Sequence, residues 1–255
     1  MPRVKPVSHD EQLTLVDHLD ELRSRLIVSL FAFAIAFGIC GWQNHRILEI
    51  VNKPLPDRYD QPLTFGVTEP FTTTFTNAAY AALLLALPVI LYQVYAFVLP
   101  AFSPTEKRVA KPLMLMSPVL FIAGVVFCYF VVLPPATDFL LSFNASEFNT
   151  EVRARDYYSF STMTMLAMGL GFQVPIGIIA LVRLNIVTVE QLRRNRRYAI
   201  LAIAVLAALL PTIDPVTMLL EMVPLLILYE LSIVLAAALG RPQRESAEVA
   251  AAEGS

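Results

Sequence analysis

The sequence has 255 residues, of which 56% are apolar and 16% charged, with a formal net charge of −2 and a mean hydropathy of +0.62. A soluble domain carries about a quarter charged residues, so this composition argues against a soluble protein, even a very apolar helical bundle. The net charge is uninformative, because the position of each charge matters more than the sum. We expect no nucleic-acid partner.

Long uncharged runs predict membrane-spanning helices. A bilayer core of about 30 Å requires about 20 helical residues, and backbone groups in lipid pair only within helices or closed barrels. We therefore predict an all-α polytopic membrane domain over residues 26–240, between a cytoplasmic amphipathic segment (1–25) and a disordered cytoplasmic tail (241–255). The six predicted spans cover residues 26–42, 76–99, 113–133, 158–182, 198–212 and 216–239.

The basic residues predict the orientation of these spans. If the amino terminus is cytoplasmic, 14 of the 19 lysines and arginines fall in cytoplasmic segments. The positive-inside rule then places both termini in the cytoplasm, which requires an even number of spans. Spans five and six are expected to be short, because the fifth is brief and the sixth contains Glu221 and Glu230. Four spans remain the alternative if this last hairpin does not cross.

The amino-terminal segment predicts an amphipathic helix that runs on into the first span. Leucines recur every three or four residues from Leu15 to Leu26, which places them on one helical face. Glu21 lies on another face, four residues before Arg25, so an ordinary helical ion pair accounts for it without a function.

Glu106 stands at the start of the third predicted span. Ser103 suits the N-cap position, Pro104 the first helical position, and Glu106 completes a capping box three residues after the cap. Helix capping therefore explains Glu106 without a further role. Both Glu21 and Glu106 are expected on the cytoplasmic side, beside apolar and aromatic surface.

Five polar residues are expected within or beside the spans: Gln93, Gln173, Asp214, Glu221 and Glu230. Acids in lipid are costly, so they face other helices or water and are functional candidates by default. Asp214 also suits the N-cap of the following helix. A secondary transporter or channel, with such groups lining a path, is therefore an alternative function.

Several enzymatic motifs are absent from the sequence. It has neither a Gly-x4-Gly-Lys-Ser/Thr phosphate loop nor a His-Glu-x-x-His pair. The spans also contain no pair of aspartates, which makes an intramembrane hydrolase a poor alternative. We expect no enzyme, cofactor or metal site. Cys40 and Cys128 are expected to be buried free thiols, and the basic run 193–197 is expected to anchor on anionic lipid.

The sequence closely resembles the TatC family, the large membrane subunit of twin-arginine protein translocases. The resemblance extends over residues 15–239. It is carried by residues 18–26 (HLDELRSRL), 54–55 (PL), 87–100 (LPVILYQVYAFVLP), 106–108 (EKR), 129–134 (YFVVLP), 172–175 (FQVP) and Pro224.

The resemblance implies a receptor for signal peptides that carry paired arginines on folded cargo. It implies that Glu21 and Glu106 bind those arginines, since a carboxylate can accept the paired donors of a guanidinium. With less weight it assigns signal-peptide binding to Leu19, Arg23 and Phe97, and structural or functional roles to Pro54 and Gln93.

The resemblance also implies partners and a location. The location is the bacterial cytoplasmic membrane, and the partners are single-span proteins of the TatA and TatB kinds that dock along spans five and six. The resemblance also implies use of the proton-motive force and a possible homo-oligomer. The family commonly has a glutamate in span four where this chain has Gln173. We expect the amide to keep the hydrogen-bonding role and Glu221 to supply a replacement charge. Asp214 and Glu230 are further candidates for partner docking.

Overall fold

The computed structural model of the chain describes residues 15–56, 59, 62–101, 104–148, 150–183, 186–208 and 214–239. Most of the predicted amino-terminal segment and the whole predicted tail (241–255) lie outside these ranges. The α-helices are α1 (Leu15–Trp42), α2 (Asn44–Asn52), α3 (Glu69–Val98), α4 (Pro104–Phe127), α5 (Leu133–Ser142), α6 (Ala154–Gly171), α7 (Val174–Arg183), α8 (Val189–Arg194), α9 (Arg196–Ala208) and α10 (Pro215–Leu239).

Five helical stretches are long and apolar enough to cross a membrane. They are His18–Trp42, Glu69–Val98, Ala110–Ser142, Ala154–Arg183 and Pro215–Ala238. The prediction of an all-α polytopic membrane fold is therefore confirmed. The third stretch joins α4 to α5 through a π-helical turn at Cys128–Val132, and the fourth comprises α6 and α7.

The two last predicted spans differ from each other in length. α9 has 13 residues, which at 1.5 Å per residue gives about 20 Å and falls short of the bilayer core. Residues 209–212, which complete that predicted span, lie outside the described ranges, so the count of six spans remains a prediction. α10 has 25 residues. The expectation that the sixth span is short is therefore wrong.

Small side chains let the first two spanning helices pack closely. α1 contributes Ala36 and Cys40, and α3 contributes Ala78, Ala82 and Ala86, all buried in one cluster. Small residues at a helix–helix contact allow the backbones to approach, which is how membrane helices gain packing energy. Cys40 is therefore a buried free thiol as predicted, and so is Cys128 in the central cluster.

α4 and α6 approach each other closely at Gly124 and Gly169. A Cβ added to Gly124 would lie 2.9 Å from the Cα of Gly169, and one added to Gly169 would lie 2.6 Å from the ring of Phe121. α6 ends just before Pro175, whose ring removes a backbone donor and interrupts the helix. α7 then continues towards the same end of the bundle.

The two faces of the bundle differ in structure. α1 begins, α3 ends and α4 begins at one face, here called the terminal face. At the opposite face, here called the loop face, α2 packs on α6: the Tyr157 hydroxyl donates to the carbonyl of Val51 at 2.7 Å. Thr137 similarly donates to the carbonyl of Pro54 at 3.0 Å. A parallel bridge between Leu63 and Arg153 ties the two long connections together.

Candidate functional site

A stacked pair of rings joins the start of α1 to the end of α3 at the terminal face. The centroids of His18 and Phe97 are 4.4 Å apart, with an angle of 21° between the ring planes. Glu21 follows His18 by one helical turn, and Gln93 precedes Phe97 by one turn. The two helices therefore bring Glu21 and Gln93 to the same level of the bundle.

A guanidinium bridges these two helices. Arg25 donates from Nε and Nη2 to Oε1 of Glu21, at 3.0 and 2.5 Å, and from Nη1 to Oε1 of Gln93 at 3.2 Å. The Glu21–Arg25 ion pair expected from the sequence is thus present, with each side chain about a quarter exposed. The contact with Gln93, 68 positions away, had no signal in the sequence.

The carboxylate of Glu21 keeps unused acceptor capacity. Both bonds from Arg25 fall on Oε1, and Oε2 receives none from any residue the structure describes. A carboxylate has about four lone-pair sites on its two oxygens. Glu21 is therefore able to accept a second donor while it is paired with Arg25.

Glu106 lies in the first turn of α4, but its side chain is outside the described set. Its backbone follows the end of α3 by a short connection, which includes a 3₁₀ turn at Leu99–Ala101, so it belongs to the terminal face. Pro104 begins α4 as predicted, whereas Ser103, the predicted cap, lies outside the described residues. Convergence of Glu106 with Glu21 therefore stays a prediction.

Leu19 and Arg23 do not join this arrangement. The Leu19 side chain is 62% exposed and Arg23 is also exposed. Neither makes a hydrogen bond or ion pair with Glu21, Gln93 or any other described residue.

Three of the predicted intramembrane polar residues have partners within the chain. Oε1 of Gln173 accepts from the hydroxyl of Ser117 at 2.6 Å, and its Nε2 donates to the Ser117 carbonyl at 3.2 Å. Asp214 accepts from the backbone N–H of Thr217 at 2.7 Å, which confirms the helix-cap alternative. Glu230 pairs with Arg196 at 2.7 Å, and both side chains are half exposed.

Glu221 differs from these three. Its side chain is fully buried, and neither carboxylate oxygen has a hydrogen-bond partner among the residues described. The hydroxyl of Thr217, one turn earlier on α10, is also buried and unpaired. An unpaired buried carboxylate is costly in a low-dielectric environment. Glu221 is therefore an intramembrane acid whose environment the described part of the chain leaves incomplete.

Sequence reasoning missed a second carboxylate–guanidinium pair, at the loop face. Oε1 of Glu69 accepts from Nε of Arg153 at 2.7 Å, and Oε2 accepts from the backbone N–H groups of Phe65 and Gly66 at 2.9 and 3.1 Å. The carboxylate of Glu69 raises the pKa of the Arg153 guanidinium. The sequence could indicate only that Glu69 is an acid in the first turn of a helix, where the helix dipole favours it. That pattern does not identify Arg153 as its partner.

The polar groups that a transport path would need are spread over the bundle. Gln93 lies near the terminal face and Asp214 at the start of α10, while Gln173 is buried against α4. Each is bonded within the chain. Among the described residues, no cluster of three or more His, Cys, Asp and Glu side chains is placed to hold a metal.

The model of the family "Sec-independent protein translocase protein (TatC)" matches residues 17–224. The chain belongs to the TatC family. It is 36% identical over 228 residues to the TatC of Carboxydothermus hydrogenoformans, covering 89% of this chain and 94% of that one. To the TatC of Aquifex aeolicus it is 37% identical over 237 residues, covering 91% and 98%.

TatC relatives also include solved structures. A crystal structure described as a twin arginine translocase receptor, TatC, superimposes with a TM-score of 0.77 at 37% identity, over 88% of this chain and all of that one. The same protein in a detergent gives a TM-score of 0.77 over 86% of this chain. This TatC chain is therefore a multi-pass membrane subunit of a Sec-independent protein translocase, as its sequence motifs predicted. Its family is a component of a transport complex, not a family of catalytic enzymes.

Proposed function

We propose that this chain is the receptor for twin-arginine signal peptides in a bacterial inner-membrane translocase, with the terminal face in the cytoplasm. The observation that carries the proposal is the carboxylate of Glu21. It already holds one guanidinium on Oε1, and its second oxygen is unpaired within the described part of the chain. The basic residues support the orientation, since most of them fall in segments on this side.

An arginine of the signal peptide would bind at Oε2 of Glu21 or replace Arg25 on Oε1. The planar guanidinium offers several donors in a fixed fork, and lysine offers a single point charge. The acceptor oxygen of Gln93, 3.2 Å from Arg25 Nη1, extends the site on the side of α3. This chemistry favours arginine over lysine at equal charge.

Glu106 is the second arginine-binding acid in this proposal. Two adjacent arginines require two acceptors, and the start of α4 lies on the same face as Glu21. A carboxylate in the first turn of a helix also interacts favourably with the helix dipole. It can cap α4 with one oxygen and present the other to the peptide.

An apolar cavity near the terminal face suits the apolar segment that follows the arginines of the peptide. It has a volume of about 440 Å³ and lies between α3, α4 and α7. Val94 and Val98 line it from α3, Met114 from α4 and Ile176 from α7. Its position beside the spanning helices supports a route by which the peptide enters the bilayer next to the receptor.

Single-span partners of the TatA and TatB kinds would dock along α9 and α10. The fifth predicted span is brief, so a partner helix alongside it would relieve the mismatch with the bilayer. Glu221 on α10 has no partner among the described residues, and a polar group from a neighbouring helix would complete it. Gln173 is bonded to Ser117, so its amide would keep α6 and α7 in register with α4. Asp214 and Glu230 would contact the partner helices at the two ends of the hairpin formed by α9 and α10.

Cross-linking of signal peptides tests the receptor proposal. The purified chain in lipid nanodiscs is exposed to a photo-activatable peptide with paired arginines and to the same peptide with paired lysines. We expect at least roughly tenfold stronger labelling by the arginine peptide, the ratio produced by about 1.4 kcal/mol. Glu21→Gln and Glu106→Gln are each expected to abolish most of that preference.

Glu190→Gln is the matched control for this experiment. Glu190 is an exposed acid in the first turn of α8 and makes no hydrogen bond among the described residues, so its loss should leave labelling unchanged. Equal labelling by the arginine and lysine peptides would refute the receptor proposal. Transport of a solute by the purified chain alone would instead favour a secondary transporter.

Export assays with Glu221→Gln and Gln173→Ala test the docking proposal separately. If Glu221 supplies the charge that completes the partner interface, Glu221→Gln lowers export and partner co-purification without lowering peptide cross-linking. Gln173→Ala should lower export through loss of the contact with α4. Full export by both variants would remove the docking role.

A further inference from the structure

A polar slot lies between α3 and α6, in the half of the bundle next to the loop face. It has a volume of about 390 Å³. α3 lines it with Thr72, Thr73, Thr76 and Asn77, and α6 lines it with Arg155 and Ser159. These residues recur at intervals of four along each helix, so one continuous face of each helix is polar where two spanning helices meet.

The slot carries a single formal charge, which is positive. Arg155 is exposed and has no ion-pair partner within 4 Å among the described residues. Arg153, two residues earlier, is instead bonded to Glu69 at 2.7 Å. The lining has no carboxylate, and its other polar groups are hydroxyls and one amide. Its electrostatic character therefore favours an anion that accepts hydrogen bonds.

Asn77 shows that the slot is incomplete without an occupant. Its side chain is 1% exposed, and neither Oδ1 nor Nδ2 has a hydrogen-bond partner in the described part of the chain. The hydroxyl of Thr73, one turn earlier, is also buried and unpaired. Unpaired polar groups at membrane depth are costly, so the arrangement implies a polar molecule in the slot.

The slot lies between two spanning helices. α3 and the stretch that contains α6 are both long and apolar enough to cross a membrane. A ligand with a polar head and an apolar body can therefore place its head in the slot and its acyl chains in the surrounding lipid. Phe71 and Phe75 do not line the slot, because they lie on the opposite side of α3, where Phe75 packs against Phe37 of α1.

We propose that this slot binds the headgroup of an anionic phospholipid of the phosphatidylglycerol type. Arg155 binds the phosphate, because a guanidinium gives charge-assisted hydrogen bonds to phosphate oxygens. The threonine hydroxyls donate to the remaining oxygens. The amide of Asn77, which both donates and accepts, pairs with a headgroup hydroxyl. The acyl chains lie in the lipid that surrounds α3 and α6.

Native mass spectrometry of the purified full chain tests this proposal. The chain, in a zwitterionic detergent, is titrated with dioleoylphosphatidylglycerol or dioleoylphosphatidylcholine, and the thermal unfolding temperature is followed in parallel. We expect preferential retention of phosphatidylglycerol and a rise in unfolding temperature that depends on its concentration. A third titration with soluble glycerol 3-phosphate separates a lipid site from a site for a free anion, and should give no binding.

Three variants locate the site. Arg155→Gln is expected to weaken retention of phosphatidylglycerol roughly tenfold, as expected when one charge-assisted contact worth about 1.4 kcal/mol is lost. Asn77→Leu should also weaken it, yet leave the unfolding temperature without lipid unchanged or higher, since an apolar group of similar size replaces an unpaired amide. Arg46→Gln, at an exposed arginine of α2 on the same face, is the control and should bind like the parent chain.

Each contrary result overturns the proposal. Equal retention of the two lipids would show that the headgroup is not recognised. An equal loss in Arg46→Gln and Arg155→Gln would assign binding to diffuse charge on the loop face. Binding of glycerol 3-phosphate as tight as that of the lipid would make the site one for a free anion. Unchanged binding in both slot variants would place the lipid elsewhere.

Discussion

Two carboxylate–guanidinium pairs stand near opposite ends of α3, and they differ in how completely the carboxylate is used. At the loop face, Glu69 is 7% exposed and accepts from Arg153 and from two backbone N–H groups, using both oxygens. At the terminal face, Glu21 is about a quarter exposed, and both its bonds come from Arg25 to one oxygen. The first pair joins residues 84 positions apart, and the second lies within one turn of α1.

The comparison separates a structural pair from the proposed binding pair, which uses the same chemistry. A buried carboxylate that uses both oxygens to tie distant segments has little capacity for a ligand, and its loss leaves the Arg153 guanidinium and two N–H groups without these bonds. A partly exposed carboxylate with one oxygen unpaired among the described residues contributes little to stability but can accept a donor from another molecule. We therefore expect substitutions at the two faces to act on different measurements.

The largest effect is expected for Glu69→Ala. It removes three hydrogen bonds to a charged group, each of them worth about 1.5–3 kcal/mol before relaxation and rehydration, so we expect a loss of about 2–4 kcal/mol in the free energy of unfolding. Thermal or denaturant unfolding in detergent measures it. Glu49→Ala, at an exposed acid on α2, should change stability by less than about 0.5 kcal/mol. Similar stability of both variants would mean that the Glu69 contacts are not structural.

The next effect concerns Glu21→Gln. We expect the affinity for a peptide with paired arginines to fall at least roughly tenfold, or about 1.4 kcal/mol, because the amide is neutral and one of its two groups is a donor. The unfolding temperature should stay the same. Binding is measured by fluorescence anisotropy of a labelled peptide in nanodiscs. A lower unfolding temperature with unchanged affinity would reverse the roles assigned to the two faces.

Ionic strength should affect the Glu21 pair and the Glu69 pair differently. Raising the salt concentration to 1 M shortens the screening length to about 3 Å, so peptide affinity at the partly exposed Glu21 should fall several-fold. The stability difference between the parent chain and Glu69→Ala should change little, since that carboxylate is buried. The same anisotropy and unfolding assays, repeated in low and high salt, measure both. Equal salt sensitivity at the two faces would contradict this distinction.

The smallest effect on stability is expected for Arg25→Gln. An exposed pair four residues apart on a helix is worth about 0.3–0.5 kcal/mol, so unfolding should shift by no more than that. Peptide affinity should rise, because the internal guanidinium no longer competes for Oε1 of Glu21. Arg193→Gln, at an exposed arginine of α8, is the control. A fall in affinity would instead mean that Arg25 positions Glu21 for the peptide.

Local patterns predicted the features that depend on neighbouring residues in the chain. The Glu21–Arg25 pair and the cap of α10 by Asp214 are both present. Each involves partners three or four positions apart, where helical geometry alone sets the distance. Predicted boundaries were less accurate. α3 begins at Glu69, seven residues before the predicted span, because the polar threonines of its first turns lower the local hydropathy.

Contacts between distant segments had no such signal. The pairs Gln93–Arg25, Gln173–Ser117, Glu230–Arg196 and Glu69–Arg153 join residues 34 to 84 positions apart. Three of them involve residues singled out as candidates for function, and the structure assigns each of these a partner within the chain. Glu221 alone among the acids predicted at membrane depth has none among the described residues.

The sequence by itself determined that this protein is a helical membrane protein, since uncharged runs of about 20 residues have one stable form in lipid. Its motifs identified the TatC family and pointed to Glu21 and Glu106. Tertiary structure decided which polar groups are satisfied and which remain available, because that depends on side chains brought together from helices far apart in the chain. It distinguished the saturated carboxylate of Glu69 from the half-used one of Glu21.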